Sequence, residues 1–463
     1  MMLDLVRKYL DRYAVGPPWR IPRVENRPID TAVVIPALAE SKRLFRTIAS
    51  IADNPLPALS RTMVICVINN RDKEHGDRRV FDDNQKTLRI LGRLIEGTVP
   101  EEGDRPAGTA RYLRRIAKSG LRLAVIDASS PGREMPHASG GVGFARKIGM
   151  DNALALLDYE NGGPRIMLSL DADTVVAPNY LDAVRQYFTM NGTHAAVVEF
   201  THGRAVNVHE QAAIVCYEIF LRYYVLGLMV AGSPYAFHSI GSTMACTAEA
   251  YAAVRGMNRR QAGEDFYFLN KLAKLGPMGT VRTTIVHPAP RRSDRVPFGT
   301  GKRIARFIAG GHEEYRVYDP EIFLVIRDWL KLLASWDDRA GKSPASQAGA
   351  IHSSLEPCLR ELRFDEAWHR LKLNSKSPAV LRRHLRCWFD GFKTLKLINA
   401  LSRTAMPPVD MFGAVRRLAS FLDRDMPVRV EAGGIPSLDD QQIILKCLRN
   451  MENDCGKKRP AND

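Results

Sequence analysis

Two carboxylates one residue apart close an apolar run in Leu168-Ser169-Leu170-Asp171-Ala172-Asp173-Thr174. On an extended chain positions i and i+2 share a side, so Asp171 and Asp173 reach toward one hard cation. A divalent ion held by such a pair and by a diphosphate is a transferase arrangement. The same residues also make an ordinary turn and helix cap, with Asp173 or Thr174 capping the segment after Pro178. A second acidic pair, Glu264-Asp265, opens the amphipathic run Phe266 to Leu272, where the helix dipole favours acids with or without chemistry. Upstream, Gly140-Gly141-Val142-Gly143 leads into a helix carrying Arg146 and Lys147 in its first turns. Close backbone approach, free N–H groups and cationic charge together suit a phosphate.

Elements that position these residues are legible around them. Thr31 to Ile35 is a β-branched run that stops at Pro36-Ala37-Leu38-Ala39-Glu40 and passes into a helical pattern over 43–51. Further strands are expected over Met63–Ile68, ending in Asn69-Asn70, and over Leu121–Ile126, ending in Asp127. Polar residues thus collect at the carboxyl ends of successive buried strands, the edge at which open α/β sheets bind ligands.

Five motifs in order resemble the family 2 glycosyltransferases, nucleotide-sugar enzymes of the GT-A fold. They are Val33-Val34-Ile35-Pro36-Ala37-Leu38-Ala39-Glu40, Ala145-Arg146-Lys147-x-Gly149, Asp171-x-Asp173, Gly241-Ser242-Thr243-Met244-Ala245 and Gly263-Glu264-Asp265. The resemblance spans about residues 30 to 290. It implies an α/β fold with a Rossmann-like mixed sheet flanked by helices, followed by a helical C-terminal region.

The resemblance also implies roles. Pro36, Ala37 and the segment to Glu40 line the donor's base and ribose, and Asn70 faces the base, where the family often has an acid. An amide donates and accepts while a carboxylate only accepts, so Asn70 leaves the base open. Arg146 is expected at the donor phosphates. Asp171 and Asp173 match the metal and sugar-nucleotide carboxylates, with Asp173 the direct ligand of Mn²⁺ or Mg²⁺. His287, at the end of a β-rich run, matches a third metal ligand. Asp265 matches the general base that deprotonates the acceptor hydroxyl, and Glu264 its neighbour that binds acceptor or tunes the base. The loop Ser293–Arg303 suits folding over the diphosphate, with Arg295 or Lys302 countering leaving-group charge, and suits a solvated surface loop equally well.

The rest of the chain frames these residues. At 463 residues and 45% apolar content, two structural units are expected. The boundaries expected are an N-terminal helical extension (1–29), a nucleotide-sugar transferase domain (30–303) and a helical region (304–463), with helices over 321–335, 379–400, 410–422 and 438–451. The net charge of +16 is shared: residues 291–463 hold 31 Lys+Arg against 22 Asp+Glu, or +9, leaving +7 elsewhere. That balance suits anionic substrates, an acidic membrane surface or nucleic acid without choosing among them. The stretch 71–115 reads as a helical insertion beside the nucleotide site, with Asp82-Asp83 a surface pair. Seven cysteines without CxxC spacing argue against a zinc site or a disulfide framework and fit a reducing cytoplasm. Met1 to Val15 lacks a signal-peptide core, so export is not expected. The apolar stretch Ala212–Gly232 holds Glu218 and Arg222 four apart, which favours a buried or interfacial helix over a spanning one. Its aromatics, Tyr217, Phe220, Tyr223, Tyr224 and, just beyond it, Tyr235, suit either core packing or a sugar- or lipid-binding wall.

The expected protein is therefore a metal-dependent, inverting glycosyltransferase of the hexosyl class. It takes a nucleotide-diphosphate sugar to a hydroxyl on a saccharide, lipid or small molecule, in the cytoplasm or at the inner face of the membrane, and no nucleic-acid partner is expected. A retaining GT-A enzyme or a sugar nucleotidyltransferase is the enzymic alternative. The latter expects a Gly-rich basic loop after its first strand, which Pro36–Glu40 lacks. A basic peripheral scaffold with a degenerate nucleotide site is the non-enzymic one.

Overall fold

The β-branched run at Thr31 forms a strand, β1 (Thr31–Ala37), buried along its whole length, and β2 (Thr62–Asn69) is equally enclosed. Continuous burial of this kind marks the centre of a sheet covered on both faces. This computed structural model describes residues 2–457 apart from 22–27, 71–76, 138–139, 261, 292–298, 311–312, 337–341 and 432. The remaining strands of the sheet are β3 (Arg122–Ala128), β4 (Ile166–Ser169), β5 (Val175–Val176), β6 (Ala195–Phe200), β7 (Met244–Thr247) and β8 (Gly279–His287).

Their order is β3-β2-β1-β4-β7-β6-β8-β5. The first four run parallel. β7 then pairs antiparallel with both β4 and β6, β6 is parallel to β8, and β5 returns antiparallel to β8. The expected α/β architecture is observed, a mixed Rossmann-like sheet flanked by helices, with a helical C-terminal region. Pro36 has no N–H to donate, and it lies just past the point where pairing of β1 with β4 stops, at Val34 and Ser169.

The chain divides into two compact units, Met1–Ala205 with Ser239–Lys302 and Val206–His238 with Arg303–Asp463. In the first unit the N-terminal helix Met2–Arg12 is anchored by a buried polar knot. Tyr9 Oη and Tyr251 Oη each donate to Asp151 Oδ1 at 2.7 Å, and Lys147 Nζ reaches Asp151 Oδ2 at 2.9 Å and Tyr9 Oη at 2.7 Å. Lys147, one of two cations expected near phosphate, is therefore a packing element. The insertion after β2 is helical, over Arg78–Ile95 and Ala110–Lys118. Asp83 differs from the expected surface pair: it accepts from the Ser41 N–H at 3.0 Å and from the Ser41 hydroxyl.

The second unit is helical. Val208–Val230 packs with the helices Glu321–Ser335, Met411–Ser420 and Leu438–Lys457 around a core that includes Tyr223, Phe323, Trp329 and Leu397. The expected helix over 379–400 is two, Pro378–Trp388 and Gly391–Thr404, because the Asp390 carboxylate caps the second by accepting from Phe392 and Lys393 N–H, each at 3.1 Å. Val208–Val230 is long and apolar enough to cross a membrane. Its Tyr223 is buried and donates to the Tyr318 carbonyl at 2.6 Å, and Phe220 and Tyr224 pack against the same core. Core packing, of the two roles open to these aromatics, is the one these three adopt.

Candidate active site

β4 ends at Ser169 and the chain turns over Leu170–Thr174, burying Leu170 and Ala172 and leaving Asp171 and Asp173 partly exposed. Thr47 Oγ1 holds the turn by donating to the Ala172 carbonyl at 2.9 Å, and Thr174 N–H closes it on the Asp171 carbonyl at 3.1 Å. The next helix begins only at Tyr180, with Asn179 as its N-cap, so neither Asp173 nor Thr174 caps it.

Arg146 organises the floor of the site. Only 2% exposed, it donates from Nε to Ser169 Oγ at 2.9 Å, from Nη1 to Glu264 Oε1 at 2.6 Å, and from Nη2 to Asp171. The Gly241-Ser242-Thr243 motif makes room for it: a Cβ at Gly241 would lie 2.1 Å from Arg146 Nη2. Ser242 donates to the other Asp171 oxygen and so must accept from Thr174 Oγ1, 2.9 Å away. Three motifs distant in sequence thus meet through one guanidinium. Arg146 was expected at a phosphate; here its hydrogen bonds hold two carboxylates in place. Burial works against its positive charge, but Asp171 and Glu264 outweigh it and raise its hold on the proton.

Gly263, in the left-handed region at φ 69°, turns the chain into the helix Glu264–Leu272. Glu264 points inward to Arg146 and is 4% exposed. Asp265 is partly exposed and accepts from the Phe266 N–H at 2.7 Å. Burial first, then the neighbouring charge of Glu264, push the Asp265 carboxyl up to about 7. Burial also raises Glu264, against the pull of Arg146.

The opposite rim is built by residues at the carboxyl ends of β1, β2 and β8. Arg291, just past β8, donates to both Asp173 and Glu40. Burial raises the Asp173 carboxyl although Arg291 opposes it. Ala39 takes a left-handed φ of 51°, unusual for a residue with a Cβ, and its N–H donates to Asn84 Oδ1 at 2.9 Å. Asn84 Nδ2 in turn reaches the Asn69 carbonyl at 2.9 Å, and Asn70 Oδ1 and Ser129 Oγ at 3.2 Å each. One buried amide therefore ties the Pro36–Glu40 loop to the end of β2. Pro36 and Ala37 belong to β1 itself, leading into this loop.

Among the described residues no group of three or more His, Cys, Asp or Glu side chains is placed to hold a metal ion, so Asp171, Asp173 and His287 are not assembled as a ready cation site. Both oxygens of Asp171 are engaged by Arg146 and Ser242, and one of Asp173 by Arg291. His287 sits opposite Val175 in the β5–β8 pair, with Nδ1 3.2 Å from the Thr201 carbonyl. Arg295 lies outside the described residues. Sequence reasoning passed over Arg291, Asn84 and Ser129. Arg291 stands just beyond the β-rich run that ends at His287, while Asn84 carries no signal within a polar insertion.

No protein-family model and no curated protein sequence matches the chain. Among solved structures it is similar to a fragment of S. aureus TarS in complex with UDP-GlcNAc, at 13% identity and a TM-score of 0.37, over 77% of this chain and 90% of that one. It is also similar to the mannosyltransferase PcManGT from Pyrobaculum calidifontis in complex with GDP-Man and Mn²⁺, at 17% identity and a TM-score of 0.34, over 87% and 95% of the two chains. Identities and scores this low assign neither a family nor an activity to this chain.

Proposed function

We propose that the chain is a glycosyltransferase that moves a sugar from a nucleotide-diphosphate donor to a hydroxyl acceptor with inversion. The observation that carries this reading is Asp265, a partly exposed carboxylate held near neutrality beside the Glu264–Arg146–Asp171 cluster. A base with this affinity is half-deprotonated near pH 7 and still basic enough to take a proton as a bond forms. The acceptor hydroxyl gives its proton to Asp265 while its oxygen forms a bond to the anomeric carbon. The bond from that carbon to the diphosphate oxygen breaks, and the electron pair leaves with the nucleoside diphosphate. Displacement from the face opposite the leaving group inverts the centre.

Glu264 and Arg146 position the base in this reading, and the loop Pro36–Glu40 with Asn70 supplies the nucleotide-facing wall. The cation dependence that the resemblance implies falls on Asp173, whose Oδ1 makes no hydrogen bond among the described residues. In the arrangement described, these ligands do not make a cation site, because Arg291 already neutralises Asp173.

Melting curves of the full chain with UDP-, GDP- and dTDP-sugars, each with and without Mn²⁺, test the reading. A donor at 100 times its dissociation constant stabilises the fold by about 2.7 kcal/mol, a readily measured rise in Tm. No shift with any nucleotide sugar would overturn it.

A further inference from the structure

Half of the chain's net charge of +16 comes from two short segments of the sheet unit. Residues 42–61 and 110–122 hold nine Lys and Arg against one acid, Asp53, or +8. Residues 1–290 as a whole carry +7, so outside these segments that part of the chain is nearly neutral. Arg43 and Arg61 are answered by Glu40, at 3.7 Å, and Asp30, at 2.5 Å. Lys42, Arg46, Arg111, Arg114 and Lys118 are exposed and form no ion pair among the described residues.

Helix geometry gathers these cations on one side. In the helix Ala110–Lys118, Leu113 and Ile116 are buried. At about 3.6 residues per turn, Arg111, Arg114, Arg115 and Lys118 fall within roughly a third of the circumference, opposite that buried pair. The helix contains no acid. Arg115 Nη1 donates to Asp53 at 2.9 Å, and a Cβ at Gly120 would lie 3.1 Å from Leu56 Cδ1. The segment from Asp53 to Leu56 therefore runs beside the helix from Arg115 to just past Lys118. Arg46 stands two turns before Asp53 and so on the same side of the helix Leu44–Ala52. Leu56 is 62% exposed, between Pro55 and Pro57, which are exposed too and restrict the backbone on either side of it. A cationic helix face bordered by a leucine held open to solvent has the two contacts of an interfacial membrane binder, charge for the headgroups and apolar surface for the acyl boundary.

We propose that this surface docks the protein on a bilayer of acidic lipids, with Arg46, Arg111, Arg114 and Lys118 against the headgroups and Leu56 entering the acyl boundary. Nucleic acid is also anionic, but single strands are gripped by stacking on open aromatic faces. The aromatic of this helix, Tyr112, is covered by Arg111, whose guanidinium lies 4.7 Å from the ring centroid and donates to its hydroxyl at 2.6 Å. Leu56 and Gly120 stand just before β2 and β3 begin, at the edge of the sheet opposite the candidate site, so docking there leaves the site open.

The test co-sediments the full chain with phosphatidylcholine vesicles and with vesicles in which about 30% of the lipid is phosphatidylserine. Binding should be at least about tenfold tighter to the acidic vesicles and should weaken as salt is raised to about 0.5 M. The Arg111→Gln/Arg114→Gln/Lys118→Gln variant should lose at least about tenfold of that binding. Lys376→Gln/Arg383→Gln/Arg386→Gln, which removes the same charge from exposed positions of the helical unit, should keep it. Leu56→Ser should weaken binding to the acidic vesicles several-fold. Equal binding to the two kinds of vesicle, or equal losses in the two triple variants, would overturn the proposal. Tighter binding to a DNA duplex of about 20 base pairs than to the acidic vesicles, unaffected by Leu56→Ser, would overturn it as well and give the surface to nucleic acid.

Discussion

Each unit buries an arginine among acids, and the two clusters differ in charge balance. In the helical unit Arg222 is fully enclosed. It donates to Glu218 Oε1 at 3.1 Å and Glu452 Oε2 at 2.5 Å, Arg449 adds a bond to Glu218 at 2.6 Å, and His238 lies 3.0 Å from Glu452. Among the described residues, two carboxylates there face two guanidiniums and an imidazole. Burial alone would raise Glu452, but His238 and Arg222 hold it below the usual carboxylate range. In the sheet unit one guanidinium, Arg146, faces Asp171, Glu264 and Asp265. Burial first, and then the excess of carboxylates, push the Asp265 carboxyl up to about 7. A balanced buried cluster fixes structure; an unbalanced one that reaches the surface stores a titratable group where a substrate can meet it.

Removing the titratable group should separate the two clusters most. Asp265→Asn keeps the shape and deletes the proton acceptor, so turnover should fall roughly 10²–10⁴-fold with donor affinity unchanged in calorimetry. Retained turnover would end the distinction between the clusters. Below pH 7 the wild-type rate should fall about tenfold per pH unit as Asp265 takes up its proton.

Arg222→Ala and Arg146→Ala form a matched pair. Each strands buried carboxylates, and urea unfolding should show a loss of about 3–5 kcal/mol in each case. Turnover per folded molecule should survive Arg222→Ala and collapse in Arg146→Ala, because only the second cluster positions Asp171 and Glu264. Equal losses would show that the two clusters play one role.

Stability against pH separates them further. Asp265 has its folded value near 7, above its ordinary 3.8, so between those values the folded state holds a proton that the unfolded chain has released. Its contribution is present in full below about 3.8 and is lost as pH rises through 7. Asp265→Asn should therefore melt higher than wild type at pH 8, the gain shrinking to nothing toward pH 4. Glu452 runs the other way: its stabilisation is present at neutral pH and is lost on acidification.

The smallest effect concerns the rim. If a divalent cation binds Asp173 it must displace Arg291, so Arg291→Gln should lower the Mn²⁺ concentration for half-maximal binding several-fold in calorimetry, and Asp173→Ala should abolish that binding. Unchanged Mn²⁺ titrations in both variants would remove the cation from the site.

Local signals in the sequence place β1 to β4, β8 and the edge at which polar residues gather, but not β5, β6 or β7. β-branched runs such as Thr31–Ile35 are local signals, and Asp171, Asn70 and Glu264 each stand where such a run ends or a helix begins. The sequence also marked Gly241-Ser242-Thr243 without showing its use. Packing in three dimensions is what makes Gly241 yield its side-chain volume to Arg146, turns Arg146 to carboxylates, sets Arg291 between Glu40 and Asp173, and lets the amide of Asn84 lock the loop after β1. The reason is physical: which cation pairs with which acid depends on distances between segments 25 residues apart for Arg146 and Asp171 and 251 apart for Arg291 and Glu40, and periodicity along the chain carries no record of them. Helix Val208–Val230 makes the same point, since hydropathy alone suits a membrane and only its buried Glu218–Arg222 pair, completed by Arg449 and Glu452, explains how its charges are accommodated.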